Sequence, residues 1–316
     1  MTSNAAAGRV RPPDLPSIAF QALAEAFWDD RGVPIPFSIR EKGGTQDDPF
    51  DEHVMEILKT ALPDDVRVIR PKDARPKIRG SLITPDAVVA RPEEYDLLIR
   101  GGEEYDTRAI FGLEVKKLNL DKDRKAARGA GMDYNSTPPC ATVRVYSALG
   151  SEIIIPAFYL FVTLENGEQS GTFIPDSLAL VAGSALNKNV ELYDAITGTR
   201  TKEIGLGTYG DGMNRNRPMM VFANPLGWTW MQGAATLISE QSLLADEHPF
   251  TLVREITRTV EKSDIDEKFY CYRLRKMGYE VEDPVRDPFP TPKSRSEQTS
   301  RRGKFVVDMT WQLKID

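Results

Sequence analysis

The chain has 316 residues, with 41 Lys and Arg against 47 Asp and Glu, which gives a formal net charge of −6. This length accommodates one large domain, or one domain with a substantial addition. The negative balance argues against a polybasic protein that coats nucleic acid by charge alone. It does not exclude an enzyme that acts on DNA, because local charge matters more than the sum.

Two cysteines and two histidines exclude several kinds of site. Cys140 and Cys271 are too few for a disulfide-rich scaffold or a cysteine-based zinc site. His53 and His248 leave little material for a histidine-based metal site. Carboxylates and lysines are therefore the groups expected to carry any catalysis. The sequence has no signal-peptide core and no run near the ~18 apolar residues of a membrane helix, so we expect a cytoplasmic protein without a membrane partner.

The chain begins with a segment that predicts a tail followed by a helix. Residues 1–16 are small, polar and proline-rich, and are expected to form a flexible tail. The remaining residues, 17–316, are expected to form a single domain. Residues 17–31 place apolar side chains at helical spacing, with Ser17 as the expected cap.

A second helix and a short strand follow. Residues 47–62 predict the helix, because Asp48-Pro49 is typical of a helix start and Pro63 follows its last turn. Residues 66–69 alternate between apolar and polar side chains, which predicts a strand.

The middle of the chain predicts five more strands, each short, rich in β-branched or aromatic residues and bounded by turn residues. The segment 95–99 is expected to pair antiparallel with the segment 108–118, because two glycines lie between them. The last is almost continuously apolar, as expected for a central strand buried on both faces. These segments are 82–90, 95–99, 108–118, 142–147 and 153–164.

The rest of the chain predicts loops and two further elements. Residues 119–140 and 200–217 are long, polar and rich in glycine or proline, and such loops inside a domain are often functional. Residues 243–261 predict a late helix, and 305–315 predict a closing strand.

Asp86 and Glu114-Val115-Lys116 form the part of the sequence with the clearest chemical content. Strand side chains alternate between faces, so Val115 is expected to face the core while Glu114 and Lys116 share the opposite face. A neighbouring strand can place Asp86 beside them. Two carboxylates suit Mg²⁺, which takes oxygen ligands, and a nearby lysine can orient water and stabilise charge on a phosphorane-like transition state.

This pattern resembles the PD-(D/E)xK nuclease superfamily, which includes most type II restriction endonucleases. Pro85-Asp86 corresponds to the PD, and Glu114-Val115-Lys116 to the ExK. The resemblance implies an α/β (α+β) fold in which helices flank a mixed central β-sheet. It also implies hydrolysis of double-stranded DNA that depends on Mg²⁺.

The resemblance further implies roles and partners. Asp86 and Glu114 would bind Mg²⁺, and Lys116 would position or activate water. A type II restriction endonuclease would cut both strands at a specific short sequence, which favours a homodimer and implies a cognate DNA methyltransferase.

Three other carboxylates are alternatives for the metal site. Asp96 precedes Glu114 on a segment predicted to pair with its strand, so it is a possible substitute for Asp86. Glu52 and Glu56 lie on the helix before the sheet, from which some members of the resembled family recruit a carboxylate. Glu56 fits a supporting ligand, and also an ordinary exposed helix residue.

DNA contacts are expected from loops, because phosphates are bound by Lys and Arg and base edges by Arg, Asn and Gln. A basic C-terminal segment, 293–304, is a weaker candidate. The two long loops supply Arg124, Lys125, Arg128, Tyr134, Asn135, Asn214, Arg215, Asn216 and Arg217.

Two other functions remain open. A repair or structure-specific nuclease would share the catalytic triplet but cut damaged or branched DNA. A non-catalytic DNA-binding module would need none of this chemistry, since Glu and Lys on the wet face of an alternating strand, together with a Pro-Asp turn, are common structural features.

Overall fold

A large mixed β-sheet forms the body of the protein. The computed structural model describes residues 13–40, 48–70, 78–79, 85–100, 105–106, 108–120, 132–133, 141–147, 152–186, 219–222, 225–260, 265–286, 288 and 306–308. The strands are β1 Phe37–Ser38, β2 Arg67–Ile69, β3 Ile78–Arg79, β4 Ala87–Ala90, β5 Ile110–Asn119, β6 Met132–Asp133, β7 Thr142–Ser147, β8 Glu152–Asn166, β9 Thr172–Ala182, β10 Met219–Phe222, β11 Ala235–Ser239, β12 Phe250–Val260, β13 Ile265–Leu274, β14 Val285–Arg286 and β15 Val306–Asp308.

Five α-helices are described, and the two longest pack on one face of this sheet. None of the helices in the described parts of the chain is long and apolar enough to cross a membrane. The helices are α1 Leu15–Phe27, α2 Pro49–Ala61, α3 Pro92–Arg100, α4 Gly183–Leu186 and α5 Leu244–Glu247.

The main sheet runs in the order β14-β12-β13-β11-β9-β8-β5-β4-β2. β5 pairs parallel with β8, and β9 parallel with β11, whereas β4–β5 and β8–β9 are antiparallel. A separate three-stranded sheet has the order β15-β10-β6. The prediction of a mixed α/β protein with a central sheet flanked by helices is therefore confirmed.

The central strand is β8, as the run of apolar residues at 153–164 predicts. Tyr159 and Phe161 are fully buried on one face of the sheet, and Leu160 and Val162 on the other. A strand buried on both faces has no need for polar alternation, which is why this segment is apolar throughout.

Helix α1 begins two residues earlier than predicted, and its cap is a different residue. Asp14 is the N-cap, and its Oδ2 accepts hydrogen bonds from Ser17 N at 3.0 Å and Ser17 Oγ at 2.6 Å. Asp14 and Leu15 are buried, so the folded body extends into the predicted 1–16 tail. The prediction of Ser17 as the cap was wrong because the aspartate three residues upstream accepts from the first helical turn.

Helix α2 follows the sequence closely. Asp48 caps it, with Oδ1 accepting from Phe50 N at 3.0 Å, and Pro49 occupies the first helical position. Phe50, Val54 and Leu58 form its buried stripe against α1 and the sheet. The proline start and the apolar spacing together explain why this element could be predicted from the sequence.

The segment predicted as a strand at 95–99 lies in helix α3. Pro92 opens this helix, Glu93 follows in its first turn and Arg100 lies in its last turn. Acidic residues at the start and a basic one at the end favour a helix through its dipole. The predicted antiparallel hairpin with β5 was therefore wrong, and β4 is the antiparallel partner of β5.

The late helix predicted at 243–261 was also wrong, since most of it is strand β12. Only Leu244–Glu247 is helical. From Phe250 to Val260 the chain pairs antiparallel with β13 over its whole length, with a bulge between Leu252 and Arg254. Helix-like apolar spacing was outweighed here by a high content of β-branched residues, which pack well on a pleated surface.

The strands predicted at 66–69, 108–118 and 142–147 were confirmed, and β4 covers only the end of the strand predicted at 82–90, but several strands were missed. β2, β5 and β7 fall within one or two residues of the predicted bounds. β15 covers the described part of the predicted closing strand at 305–315. β9, β11 and β13 are among the strands that were not predicted, and together with β12 and β14 they form the side of the sheet beyond β8.

Gly112 in β5 lies where other chain segments come close. A Cβ atom at this position would overlap Val143 Cγ2 and lie 3.1 Å from Pro85 Cγ. The residue is therefore required for packing and not for a special backbone angle. It holds β7 and the residue before Asp86 tightly against the strand.

We expect Gly112→Ala to lower the free energy of unfolding by about 1–3 kcal/mol, because overpacking forces neighbours to shift. Val143→Ala removes the atom that would be overlapped, so the double variant is expected to be more stable than the sum of the single changes predicts. Urea unfolding of the four proteins measures this coupling. Strict additivity would show that Gly112 and Val143 do not constrain each other.

Candidate active site

The register between β4 and β5 brings the two halves of the motif together. Ala87 lies opposite Leu113, so the preceding residue, Asp86, falls beside Glu114 and Val115. The backbone N–H of Val115 donates to Asp86 Oδ2 at 2.7 Å. This hydrogen bond holds the Asp86 carboxylate against the motif strand while using only one of its two oxygens.

Glu114 and Lys116 form an ion pair inside the protein. Lys116 Nζ lies 2.7 Å from Glu114 Oε2, and the two residues are 7% and 4% exposed. The predicted sharing of one face is confirmed. Tyr159 and Phe161 of β8 lie opposite the two residues in register and are fully buried, so the ion pair lies beside aromatic rings and not on a solvated strand face.

The environment of Lys116 keeps it charged. Burial is the largest single effect on its ammonium group and lowers its pKa, but the charges of Glu114, Asp86 and Asp51 and the hydrogen bond to Glu114 together outweigh burial. The pKa of Lys116 is therefore raised above its ordinary value. At neutral pH the side chain is an ammonium ion, which can donate hydrogen bonds but cannot accept a proton.

Asp51 is a third carboxylate at the site, and it was missed in the sequence. Burial raises its pKa to about 8, helped by the negative charges of Asp86 and Asp48, while Lys116 and Lys117 act in the opposite direction. A carboxyl group with like charges nearby and little solvent is typical of sites that bind cations or transfer protons.

A sequence signal for Asp51 did exist. The helix start Asp48-Pro49-Phe50-Asp51-Glu52 carries three carboxylates in five residues. Residues three apart lie on one side of a helix, so Asp51 follows the cap residue Asp48 towards the sheet. Asp51 becomes a candidate once Asp48 is identified as the helix cap, because the cap sets the phase of the residues that follow it.

The alternatives to these residues lie elsewhere. Asp96 is exposed on α3, so the premise that it lies on a strand paired with the motif strand was wrong. Glu56 is exposed on α2. Glu52 is joined to Arg40 at 2.8 Å and to Arg70 at 3.7 Å.

The predicted DNA-contacting residues lie outside the described residues, as does the basic segment 293–304. Those in the two long loops are Arg124, Lys125, Arg128, Tyr134, Asn135, Asn214, Arg215, Asn216 and Arg217.

The donor chemistry of the site fits a hard divalent cation. Asp86, Glu114 and Asp51 offer carboxylate oxygens, the ligands that Mg²⁺ prefers. The side chains do not converge as a ready ligand set: among the described residues, no group of three or more His, Cys, Asp or Glu is spaced to hold a metal ion. Glu114 instead contacts Lys116, so binding a cation requires the carboxylates to move closer together.

Comparisons with protein-family models, curated proteins and solved structures found no match to this chain.

The pKa of Asp51 predicts a pH-dependent stability. Between its ordinary value of 3.8 and about 8, the folded protein keeps a proton on Asp51 that the unfolded chain has released. This contribution to stability is complete below pH 3.8 and is lost as the pH rises through about 8. In EDTA, we expect Asp51→Asn to match the wild type near pH 4 and to melt at a higher temperature at pH 9.

Asp96→Asn is the matched control, because the same chemical change is made at an exposed position. Its melting temperature is expected to stay parallel to that of the wild type from pH 4 to pH 9 in scanning calorimetry. A pH-independent difference between Asp51→Asn and the wild type would show that Asp51 is not in a carboxylate cluster.

Proposed function

We propose that the protein is a Mg²⁺-dependent nuclease that hydrolyses phosphodiester bonds of double-stranded DNA. One observation supports the proposal. Asp86 accepts a 2.7 Å hydrogen bond from the N–H of Val115, the residue between the paired Glu114 and Lys116, although 28 residues of chain separate Asp86 from Val115. These are the residues on which the resemblance to PD-(D/E)xK nucleases rests, and the pairing of β4 with β5 brings the two halves of the motif side by side.

In the proposed site, Asp86 and Glu114 would hold Mg²⁺, and Asp51 of α2 would offer a further carboxylate oxygen. The bound ion would polarise the phosphodiester and make a bound water more acidic. The carboxylates orient that water and exclude other ligands. Closer approach of three carboxylates is opposed by their mutual repulsion, which is the reason a divalent cation is needed there.

In the proposed reaction, Lys116 donates hydrogen bonds and does not accept a proton. Its raised pKa keeps the ammonium protonated, so it stabilises negative charge on the phosphoryl oxygens as water attacks phosphorus. The attacking water loses a proton to solvent and the bond from phosphorus to the 3′ oxygen breaks. The 3′ oxygen takes up a proton from solvent, which leaves a 5′-phosphate and a 3′-hydroxyl. Exchange of Lys116 from Glu114 to the phosphate frees the carboxylate as a ligand.

The finer form of the proposal is a type II restriction endonuclease that acts at a specific short sequence as a homodimer, with a cognate DNA methyltransferase. Its support is the length of chain outside the motif strands, where the two polar loops offer Arg and Asn for base edges. A repair or structure-specific nuclease has the same catalytic residues but a different substrate.

A second candidate is a non-catalytic DNA-binding module. The Lys116–Glu114 ion pair favours it, because a buried pair that satisfies both charges can be purely structural. The two candidates differ in what they require of Asp86 and Asp51, since neither a structural ion pair nor DNA binding needs additional carboxylates at this place.

The test is cleavage of mixed plasmid and phage DNA by the purified protein, in Mg²⁺ or in EDTA. We expect discrete fragments in Mg²⁺ only, and a loss on the order of 10²–10³-fold or more for Asp86→Asn, Glu114→Gln and Lys116→Met, because each removes a charge that the transition state needs. Asp96→Asn and Glu56→Gln are the matched controls and should cut like the wild type.

Two other outcomes would each support one of the alternative functions. Cutting confined to branched or mismatched duplexes would support the repair nuclease in place of the restriction enzyme. DNA binding without cleavage, unaffected by Asp86→Asn or Lys116→Met, would overturn the nuclease proposal and leave the binding module.

A further inference from the structure

Two arginines and three aromatic side chains form a cluster on the strands β12 and β13 and the segments beside them. The rings of Trp228 and Trp230 are 4.9 Å apart. The guanidinium carbon of Arg254 lies 5.1 Å and 4.7 Å from their centres. That of Arg273 lies 4.2 Å from the centre of the Trp230 ring and 4.6 Å from that of Tyr279. Such contacts hold a guanidinium by its flat faces, so its N–H groups remain able to donate in the plane.

The positive charge of this arginine–aromatic cluster is only partly compensated. Arg273 is 7% exposed, and its guanidinium donates to Thr236 Oγ1 at 3.0 Å and to the Trp230 carbonyl oxygen at 2.8 Å. Both acceptors are neutral, so these hydrogen bonds leave the charge of Arg273 in place. Within the described parts of the chain, the buried Nε of Arg254 has no hydrogen-bond partner. Buried charges and donors of this kind favour an anion nearby.

The carboxylate of Glu282 shows where an anion fits. One of its oxygens is paired with the Arg254 guanidinium, and the other accepts a hydrogen bond from the indole N–H of Trp230. Phosphate oxygens accept hydrogen bonds from a guanidinium in the same way as carboxylate oxygens do. The Glu282 side chain is 44% exposed, so its transfer to water costs little. Its backbone is held separately, because the Glu282 N–H donates to the Val253 carbonyl oxygen at 2.7 Å.

The cluster lies on the same face of the sheet as Lys116. Lys116 pairs in register with Phe161, and Phe161 with Ala179. Ala179 pairs with Thr236, which accepts the hydrogen bond from Arg273. Residues in register point to the same face, so this row of side chains crosses the sheet from β5 to β13.

The distance across this row suits a DNA duplex. The strand order β13-β11-β9-β8-β5 separates the two ends by four steps of about 4.8 Å, which is roughly 19 Å. Each strand of a duplex advances by about 3.4 Å per nucleotide, so DNA lying across the face covers this distance in roughly six base pairs. A duplex cut beside Lys116 therefore extends to the cluster.

We propose that Arg254 and the indole N–H of Trp230 bind a backbone phosphate of double-stranded DNA, and that the Glu282 carboxylate occupies this position when DNA is absent. Arg273 adds positive charge and holds Trp230. The inference rests on the proposed function in taking DNA as the partner, but it concerns binding and requires neither Mg²⁺ nor cleavage. A phosphate contact positions the duplex without reading its sequence.

The first test measures the affinity of the full-length protein for a fluorescently labelled duplex by anisotropy, in EDTA and at several salt concentrations. Arg254→Met is expected to weaken binding roughly 10-fold, because it removes a charged donor to phosphate. The slope of log affinity against log salt should become shallower by about one unit, the value for one phosphate contact. Arg31→Met makes the same change at a side chain that is 84% exposed, and should bind like the wild type.

The second test uses a variant that should gain affinity. Glu282→Gln removes the charge that competes with the phosphate, so we expect DNA to bind roughly 2–5-fold more tightly, in keeping with the small cost of breaking an exposed ion pair. A gain cannot result from misfolding, so this variant remains informative if thermal melting shows that Arg254→Met is unstable. Glu280→Gln removes the same charge from an exposed residue of the same segment and should bind like the wild type.

Two results would overturn the inference. One is unchanged DNA affinity in both Arg254→Met and Glu282→Gln. The other is an equal gain in Glu282→Gln and Glu280→Gln, because net charge alone would then account for it.

Inorganic phosphate distinguishes a DNA contact from a site for a small phosphate compound. We expect it to compete with the labelled duplex only weakly, since it replaces one of many backbone contacts. A change in tryptophan fluorescence on adding inorganic phosphate that requires Arg254, together with DNA affinity that does not, would assign the site to a small phosphate compound and overturn the inference.

The failure of the inference and that of the proposed function are distinguishable. A wild type that cuts DNA in Mg²⁺, with an affinity independent of Arg254 and Glu282, overturns the inference alone. A wild type that binds DNA through Arg254 but never cuts it overturns the nuclease proposal and leaves the inference in place for a binding module. A wild type that does not bind DNA overturns both.

Discussion

The register of β4 against β5 is the constraint on which the whole site depends. With Ala87 opposite Leu113, Asp86 accepts the Val115 N–H, and Glu114 and Lys116 share one face. A slip of one residue would send both side chains to the other face of the sheet, where α1 and α2 pack. Gly112 allows this arrangement because a larger residue there would overlap β7.

Buried charge is the second feature that follows from this register. Lys116 is surrounded by groups that favour its charged form, whereas the charges of Asp86 and Asp48 disfavour ionisation of Asp51. A carboxylate whose ionised form is disfavoured near a buried ion pair adds little to stability, because apolar residues of similar volume serve that purpose at least as well. The cation proposed above would offset the mutual repulsion of these carboxylates.

The sequence predicted those parts of the site that depend on local patterns. Alternation along β5 placed Glu114 and Lys116 together, and the cap and proline placed α2. Predictions failed where long-range pairing decided the structure: β13 makes 250–260 a strand despite its helix-like spacing. Asp96 was considered because its apolar neighbours suggested a strand, although Pro92 begins a helix there. The local pattern places Asp51 on the same side of α2 as its cap Asp48, but the surroundings of Asp51 depend on how α2 packs on the sheet.

The protonation state of Lys116 limits the mechanism of a nuclease built on this site. A general base must release its own proton before it can accept one from water, and a lysine whose pKa is raised holds its proton throughout the neutral range. The ammonium is therefore suited to stabilising charge, and deprotonation of the attacking water falls to groups other than Lys116. The same ammonium is paired with Glu114. Its transfer to a phosphate of the substrate would free a Glu114 oxygen, so that substrate binding would make this oxygen available as a cation ligand. In the proposed nuclease, the ion pair would keep the site neutral until the charged substrate and a cation bind.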